Sequence, residues 1–130
     1  MWWRSVDVPA PATWAWELIT DTTRWPAWGP TVSAARLDDG GGTRIRLGST
    51  GAVRTPLGLW LPFKVTAYED AGVDRCWSWR VAGVPATSHR VTSMGPEACR
   101  VAFGVPWWAP AYLAVMEVGL RRVRSLARQR

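Results

Sequence analysis

Residues 8–30 read VPAPATWAWELITDTTRWPAWGP. Pro9 and Pro11 stop whatever strand precedes them, because proline has no N–H to give a ladder. From Ala12 to Asp21 the residues Trp14, Ala15, Leu18 and Ile19 recur at helical spacing, with Trp16 a little round from them, which predicts a short helix with most of its surface buried. The polar run 20–23 closes it. Trp25-Pro26-Ala27-Trp28 opens a second short helix, with proline at an early position and the two tryptophans three residues apart on one side. Gly29-Pro30 ends that helix. A pair of short helices between two proline stops therefore interrupts the chain near its beginning.

Outward from this stretch the period is two. Residues 2–8 alternate as a first strand, and 32–37, 43–47, 59–68, 75–81, 87–94 and 99–105 read as six more, separated by turns at 38–42, 48–58, 69–74, 82–86 and 95–96. Spacers this short join antiparallel neighbours, since parallel ones need crossovers of about a dozen residues or more. After Pro106 a long helix is predicted from about Ala109 to the C-terminus, with Tyr112, Val115, Met116, Gly119, Val123 and Leu126 on one face. The expected fold is α+β: a curved seven-stranded antiparallel sheet, two short helices after its first strand, and a long C-terminal helix over the concave face.

The 130 residues (14.4 kDa) predict a single domain spanning 1–130, given about 100 to 200 residues per domain. A chain of that size buries roughly two thirds of its unfolded surface and needs no staple. With 48% hydrophobic and 20% charged residues it is not a disordered chain. Two cysteines, Cys76 and Cys99, and one histidine exclude a disulfide framework and the usual zinc sets, so no metal and no cofactor is expected. The glycines at 40–42 join two strands, whereas phosphate-cradling glycines lead from a strand into a helix.

The N-terminus lacks a signal-type apolar segment, and the longest uncharged run, 101–116, holds Pro106 and Pro110 and is shorter than the roughly 20 residues of a membrane span. A cytoplasmic protein without a transmembrane segment is the expectation. The net charge of +6 comes from fifteen Arg and one Lys, with Arg121, Arg122, Arg124, Arg128 and Arg130 in the last ten residues. Such a segment can meet phosphate or an anionic membrane, and it equally favours the helix macrodipole and keeps the chain soluble. No base-stacking aromatics lie among these arginines, so a nucleic-acid partner is not expected.

Eleven tryptophans, against two Phe and two Tyr, are the compositional anomaly. Strand alternation turns Ile45, Leu47, Leu59, Leu61, Phe63, Val65, Trp77, Trp79, Val81, His89, Val91, Val101, Phe103 and Val105 to the concave side. Trp77, Trp79, Phe103, Tyr112 and Met116 would wall the space under the helix, with Phe63, Val65, His89 and Val91 on the same face and Trp28 at the floor. Aromatic walls with a few polar groups describe a small-molecule pocket, whereas periodicity alone favours a filled core. His89 titrates near neutral pH and Tyr112 carries a hydroxyl early on the helix, so these two are the candidates for moving a proton. A satisfied core histidine and an aromatic helix cap are their structural alternatives. Trp25 and Trp28 are expected to be mainly scaffold, pinning the helix pair onto the sheet.

Several of these stretches carry a resemblance. Residues 8–30, followed by Val65-Thr66-Ala67-Tyr68-Glu69, Trp77-Ser78-Trp79-Arg80-Val81, His89-Arg90-Val91 and the terminal helix, resemble in order the START-like (Bet v 1-like) SRPBCC superfamily, in its polyketide cyclase/dehydrase branch. The similarity covers essentially the whole chain. It implies the helix-grip fold and a ligand in a cavity between the sheet and the C-terminal helix. Binding of a small hydrophobic, aromatic or polycyclic molecule or a lipid is the function it implies first. A polyketide cyclase or aromatase is the enzyme alternative, and an interaction protein using the Arg-rich helix on RNA, ribosome or membrane is a third. Catalytic residues of such cyclases form no fixed motif, and none is carried over.

Overall fold

A computed structural model describes residues 1–40 and 42–129. Gly41, within the turn expected at 38–42, and Arg130, the last of the terminal arginines, lie outside the described residues.

The strands are β1 (Trp2–Val8), β2 (Ala34–Leu37), β3 (Thr50–Arg54), β4 (Trp60–Glu69), β5 (Asp74–Val81), β6 (Val84–Ser93) and β7 (Cys99–Val105). They form one curved antiparallel sheet in the order β1-β7-β6-β5-β4-β3-β2, so the first strand closes against the last. Helices α1 (Ala12–Thr20) and α2 (Trp25–Trp28), joined by a 3-10 turn at Thr22–Arg24, follow β1, and α3 (Leu113–Arg128) follows β7. Helix α3 lies along β1 and β7, and α1 and α2 pack between it and the sheet.

The short helices hold their place through α1's own orphan carbonyls. The last turn of a helix leaves C=O groups without intrahelical partners. Here the C-cap Asp21 N closes the last intrahelical bond on Glu17 O, and the carbonyls beyond it take outside donors: Trp28 Nε1 to Leu18 O at 2.8 Å, Trp25 Nε1 to Ile19 O at 3.0 Å, and Ile45 N to Thr20 O at 3.0 Å. Two indoles thus terminate α1 while their rings enter the core, where Trp25 and Trp28 are buried. On α1 itself Trp16 is the buried tryptophan and Trp14 stands exposed.

The same bonding explains the one misplaced strand. Residues 43–47 are not a strand of the sheet: Thr22 N donates to Thr43 O, Ile45 N caps α1, and Ile45 is buried against the helix end while Leu47 is exposed. The third strand is Thr50–Arg54, inside the segment expected to be a loop. Its Gly51 suggests a turn, yet the position needs glycine for closeness: a Cβ there would stand 2.9 Å from the Phe63 ring and 2.1 Å from Arg36 O. The β5–β6 connection is also shorter than the expected 82–86. Ala82 and Gly83, at φ 52° and 77°, make a two-residue turn with positive φ at both positions. Leu59, expected on the concave side, is exposed in the β3–β4 turn.

Candidate functional site

The concave side of the sheet carries a continuous aromatic stack. Trp25, delivered by α2, lies parallel to Trp77 (centroids 5.5 Å, 6° between planes) and meets Phe63 and Trp79 at tilted or edge angles. Trp77 in turn stacks on His89 at 3.9 Å, and His89 meets Phe103 and Trp28 edge-on. Offset stacks and edge contacts are the arrangements that aromatic quadrupoles favour. Gly119 of α3 lets the helix close over this layer, since a Cβ there would sit 3.4 Å from both the Phe103 ring and Trp28 O.

Of the ten residues expected to touch a ligand, Trp28, Phe63, Val65, Trp77, His89, Val91, Phe103 and Met116 are buried in this core, and Trp79 and Tyr112 are half-buried. All ten belong to, or pack against, one buried cluster, His89 through its stack on Trp77. Their own side chains, with Trp25, occupy the space between sheet and helix.

His89 is 1% exposed and hydrogen-bonded on both sides. Nδ1 faces Trp77 O at 3.4 Å, and a carbonyl can only accept, so Nδ1 carries the proton. Nε2 then accepts from the Thr87 hydroxyl at 3.0 Å, and Thr87 Oγ1 accepts from Trp79 Nε1 at 3.0 Å. Burial pulls the imidazole down to about 3, with only the Trp77 carbonyl opposing it. A neutral ring with both nitrogens engaged is a core connector, and it has no lone pair left for a substrate.

Tyr112 differs. Its hydroxyl bonds Thr31 Oγ1 at 2.6 Å, tying the start of α3 to the segment after α2. Its ring lines an open cleft of about 250 Å³ with Val81, Val84, Pro85, Ala86, Val105, Pro106, Trp108 and Ala109. The β5–β6 hairpin, the end of β7 and the loop into α3 form this cleft, at the end of the sheet where α3 begins. Its volume is just below the roughly 300–1,000 Å³ of drug-sized sites. Tyr112 is the one titratable side chain among the lining residues.

Of the cleft residues, the sequence singles out Tyr112, and places Val81 and Val105 on the inner face. Trp108, Val84, Pro85, Ala86 and Pro106 escape notice because they sit in segments read as loops. The signal available was the absence of charge: residues 81–86 and 105–112 hold no Asp, Glu, Lys or Arg. Elsewhere, Arg121, Arg124 and Arg128 of α3, with Ser125, Gln129 and Val6, line a polar, open depression along β1. Burial raises the Cys76 thiol and pushes Cys99 up to about 11, which lowers the thiolate fraction of both. Among the described residues, no helix is long and apolar enough to cross a membrane.

A family model described as polyketide cyclase/dehydrase and lipid transport matches residues 4–127. No curated protein matches the chain at a significant level. Among solved structures, a hypothetical protein of Helicobacter pylori superposes with a TM-score of 0.77 at 10% identity, over 96% of this chain and 86% of that one. The protein XoxI of Bacillus cereus gives 0.70 at 15% identity, over 97% and 94%. A Thermobifida fusca protein solved by NMR gives 0.59 at 21% identity, over 91% and 83%. At these identities the likeness is one of fold.

Proposed function

Because the chain belongs to the polyketide cyclase/dehydrase and lipid transport family, we propose that it binds a small, predominantly apolar ligand, aromatic in part, in the cleft between the β5–β6 hairpin and the start of α3. The observation that carries this reading is the cleft's composition. Valine, proline and alanine walls meet the Trp108 ring, and one hydroxyl, that of Tyr112, stands at the side. Apolar surface withdrawn from water contributes roughly 25 cal/mol per Å², and a planar ligand gains further by contact with Trp108. The filled space beneath, sealed by Trp25 and Trp77, confines the ligand to the rim of the grip.

Binding is favoured over catalysis by the same composition. Acid–base chemistry asks for a titratable group within hydrogen-bond reach of the substrate, commonly a pair with separated pKa values. His89 lies sealed in the core, and Tyr112 stands without a second such group in the cleft lining. Isothermal calorimetry with 2-naphthol, a planar aromatic alcohol of suitable size, tests the reading. Saturable binding that Trp108→Ala weakens is expected, and absence of heat at millimolar naphthol overturns it.

A further inference from the structure

At the end where the cleft opens gather the N-terminus, the α2–β2 link, the β3–β4 and β5–β6 turns and the β7–α3 loop. Trp2, Leu57, Leu59, Val84, Trp107 and Trp108 all stand exposed there, Leu57 at 97% and Trp107 at 73%. Trp2 Nε1 donates to Trp107 O at 3.0 Å, so two of these elements are fastened together. Residues 1–6, 29–36, 51–63, 78–88 and 103–114, which include these connections, contain none of the chain's ten carboxylates, but they carry Arg36, Arg54, Arg80 and the terminal amine, with Arg4 paired to Glu117 of α3. The opposite end mixes both signs: Asp38, Asp39, Glu69, Asp70, Asp74 and Glu97 lie in or beside its turns, interleaved with Arg44, Arg46 and Arg75, and Arg46–Asp39 and Arg75–Asp70 are ion pairs.

We propose that the open end docks on the surface of an anionic phospholipid bilayer, with Trp2, Leu57, Trp107 and Trp108 seated at the headgroup level and Arg54 and Arg80 facing lipid phosphates. Tryptophan settles at membrane–water interfaces, where an amphipathic ring meets both phases. Exposed apolar side chains carried on separate turns suit a deformable surface. Cations without carboxylates complement anionic headgroups, whereas self-association through this end would set arginine against arginine. The proposal rests on the cleft reading: a lipid-derived ligand drawn from a bilayer needs a cleft that opens toward it.

Co-sedimentation of the full chain with vesicles of phosphatidylcholine alone and of phosphatidylcholine with 30% phosphatidylglycerol, beside naphthol calorimetry in solution, tests it. Partitioning into the anionic vesicles is expected, tighter than into the neutral ones by about fivefold for each arginine brought to the surface, and weakened by salt. A Leu57→Glu/Trp107→Glu variant should lose at least tenfold in partitioning while binding naphthol as the wild type does, because neither residue lines the cleft. Leu57→Ser, at a fully solvated position, should lose severalfold without any risk to folding. The proposal is overturned by a wild type that leaves both vesicles unbound, by a doubly substituted chain that sediments like the wild type, or by a stable dimer that ignores lipid. Naphthol binding without vesicle binding removes the docking and spares the cleft reading. Vesicle binding without naphthol binding supports the docking and removes the cleft as ligand site.

Discussion

At the centre of the grip Trp25 and Trp77 lie stacked, both sealed from water, and the indole of Trp25 is engaged on the Ile19 carbonyl. At the open end Trp107 and Trp108 stand 73% and 55% exposed on a loop that crosses from sheet to helix. The residue type is the same and the supporting structure is opposite. In the core each ring is bounded by other rings, and the indoles of Trp25 and Trp28 serve dangling carbonyls of α1. At the end, turns and proline hold the rings with no layer above them. Tryptophan abundance by itself therefore does not indicate a ligand cavity: a curved sheet of this size needs large side chains to fill its concavity, and only the tryptophans left uncovered can meet another molecule.

The largest expected effect breaks the core side of this comparison. Trp25→Ala removes a ring in contact with Phe63, Trp77 and Trp79 and strips the Ile19 carbonyl of its donor. Truncating a buried aromatic costs on the order of 3 to 5 kcal/mol. Urea unfolding should show a loss of that size, and an unchanged midpoint would mean that α2 is not pinned through this ring.

Acid is the next test, and it probes the core without a mutation. His89 is held near 3 in the folded chain by burial, against 6.5 for the free side chain. Below pH 6.5 the unfolded chain takes up a proton that the folded chain refuses, so stability is fully present above that value and lost as pH falls toward 3. One proton corresponds to about 1.4 kcal/mol per pH unit once the unfolded imidazole is fully charged, or about 2 kcal/mol between pH 6.5 and 4.5, before most carboxylates titrate. Urea midpoints measured across that window should follow the slope. A His89→Gln chain, whatever its starting stability, should give a flat line there, and an equal slope in both would place the titrating group elsewhere.

A smaller effect of opposite sign is expected at the rim. Ala82 adopts φ 52° in the turn that carries Val84 and Pro85 into the cleft wall. A left-handed conformation costs an L-residue roughly 1 to 2 kcal/mol, and glycine escapes most of it. Ala82→Gly should raise the thermal midpoint by a gain of about 1 kcal/mol, and lowered stability would show that the alanine methyl is needed where it stands.

The contrast between the two regions also governs how far the sequence could be read. Strand alternation identifies His89, Phe63 and Trp77 as inward because each sits on a strand whose neighbours alternate in polarity. The helix pair is legible from two proline stops and a Trp-Pro-Ala-Trp turn. Gly51 misleads, because a glycine required for close approach to Phe63 and one required for a turn look alike in a linear chain. Residues 43–47 alternate like a strand but are drawn away by the free carbonyl of Thr20, a contact set by where α1 happens to end. Most of the cleft is illegible for a related reason. Its lining comes from two connections separated in sequence, and only the meeting of the β5–β6 and β7–α3 junctions at one end of the sheet makes a surface of them.

The smallest stability effect carries the most functional information. Trp108 is half out of the fold, so Trp108→Ala forfeits little burial, and substitutions at such positions change stability by no more than about 0.5 kcal/mol. The same ring is the broadest surface of the cleft, where an aromatic contact is worth about 0.5 to 1.5 kcal/mol beyond area. Naphthol affinity should then drop by up to about tenfold while the urea midpoint stays within error. Tyr112→Phe separates the two contributions further, because it keeps the ring in the cleft and removes the hydroxyl that meets Thr31. An unchanged affinity in that variant would assign the hydroxyl to anchoring the start of α3, whereas a loss comparable to that of Trp108→Ala would make it a ligand contact. If Trp108→Ala instead unfolds early and binds naphthol as before, the open end is scaffold after all, and the division between covered and uncovered tryptophan fails where it was drawn.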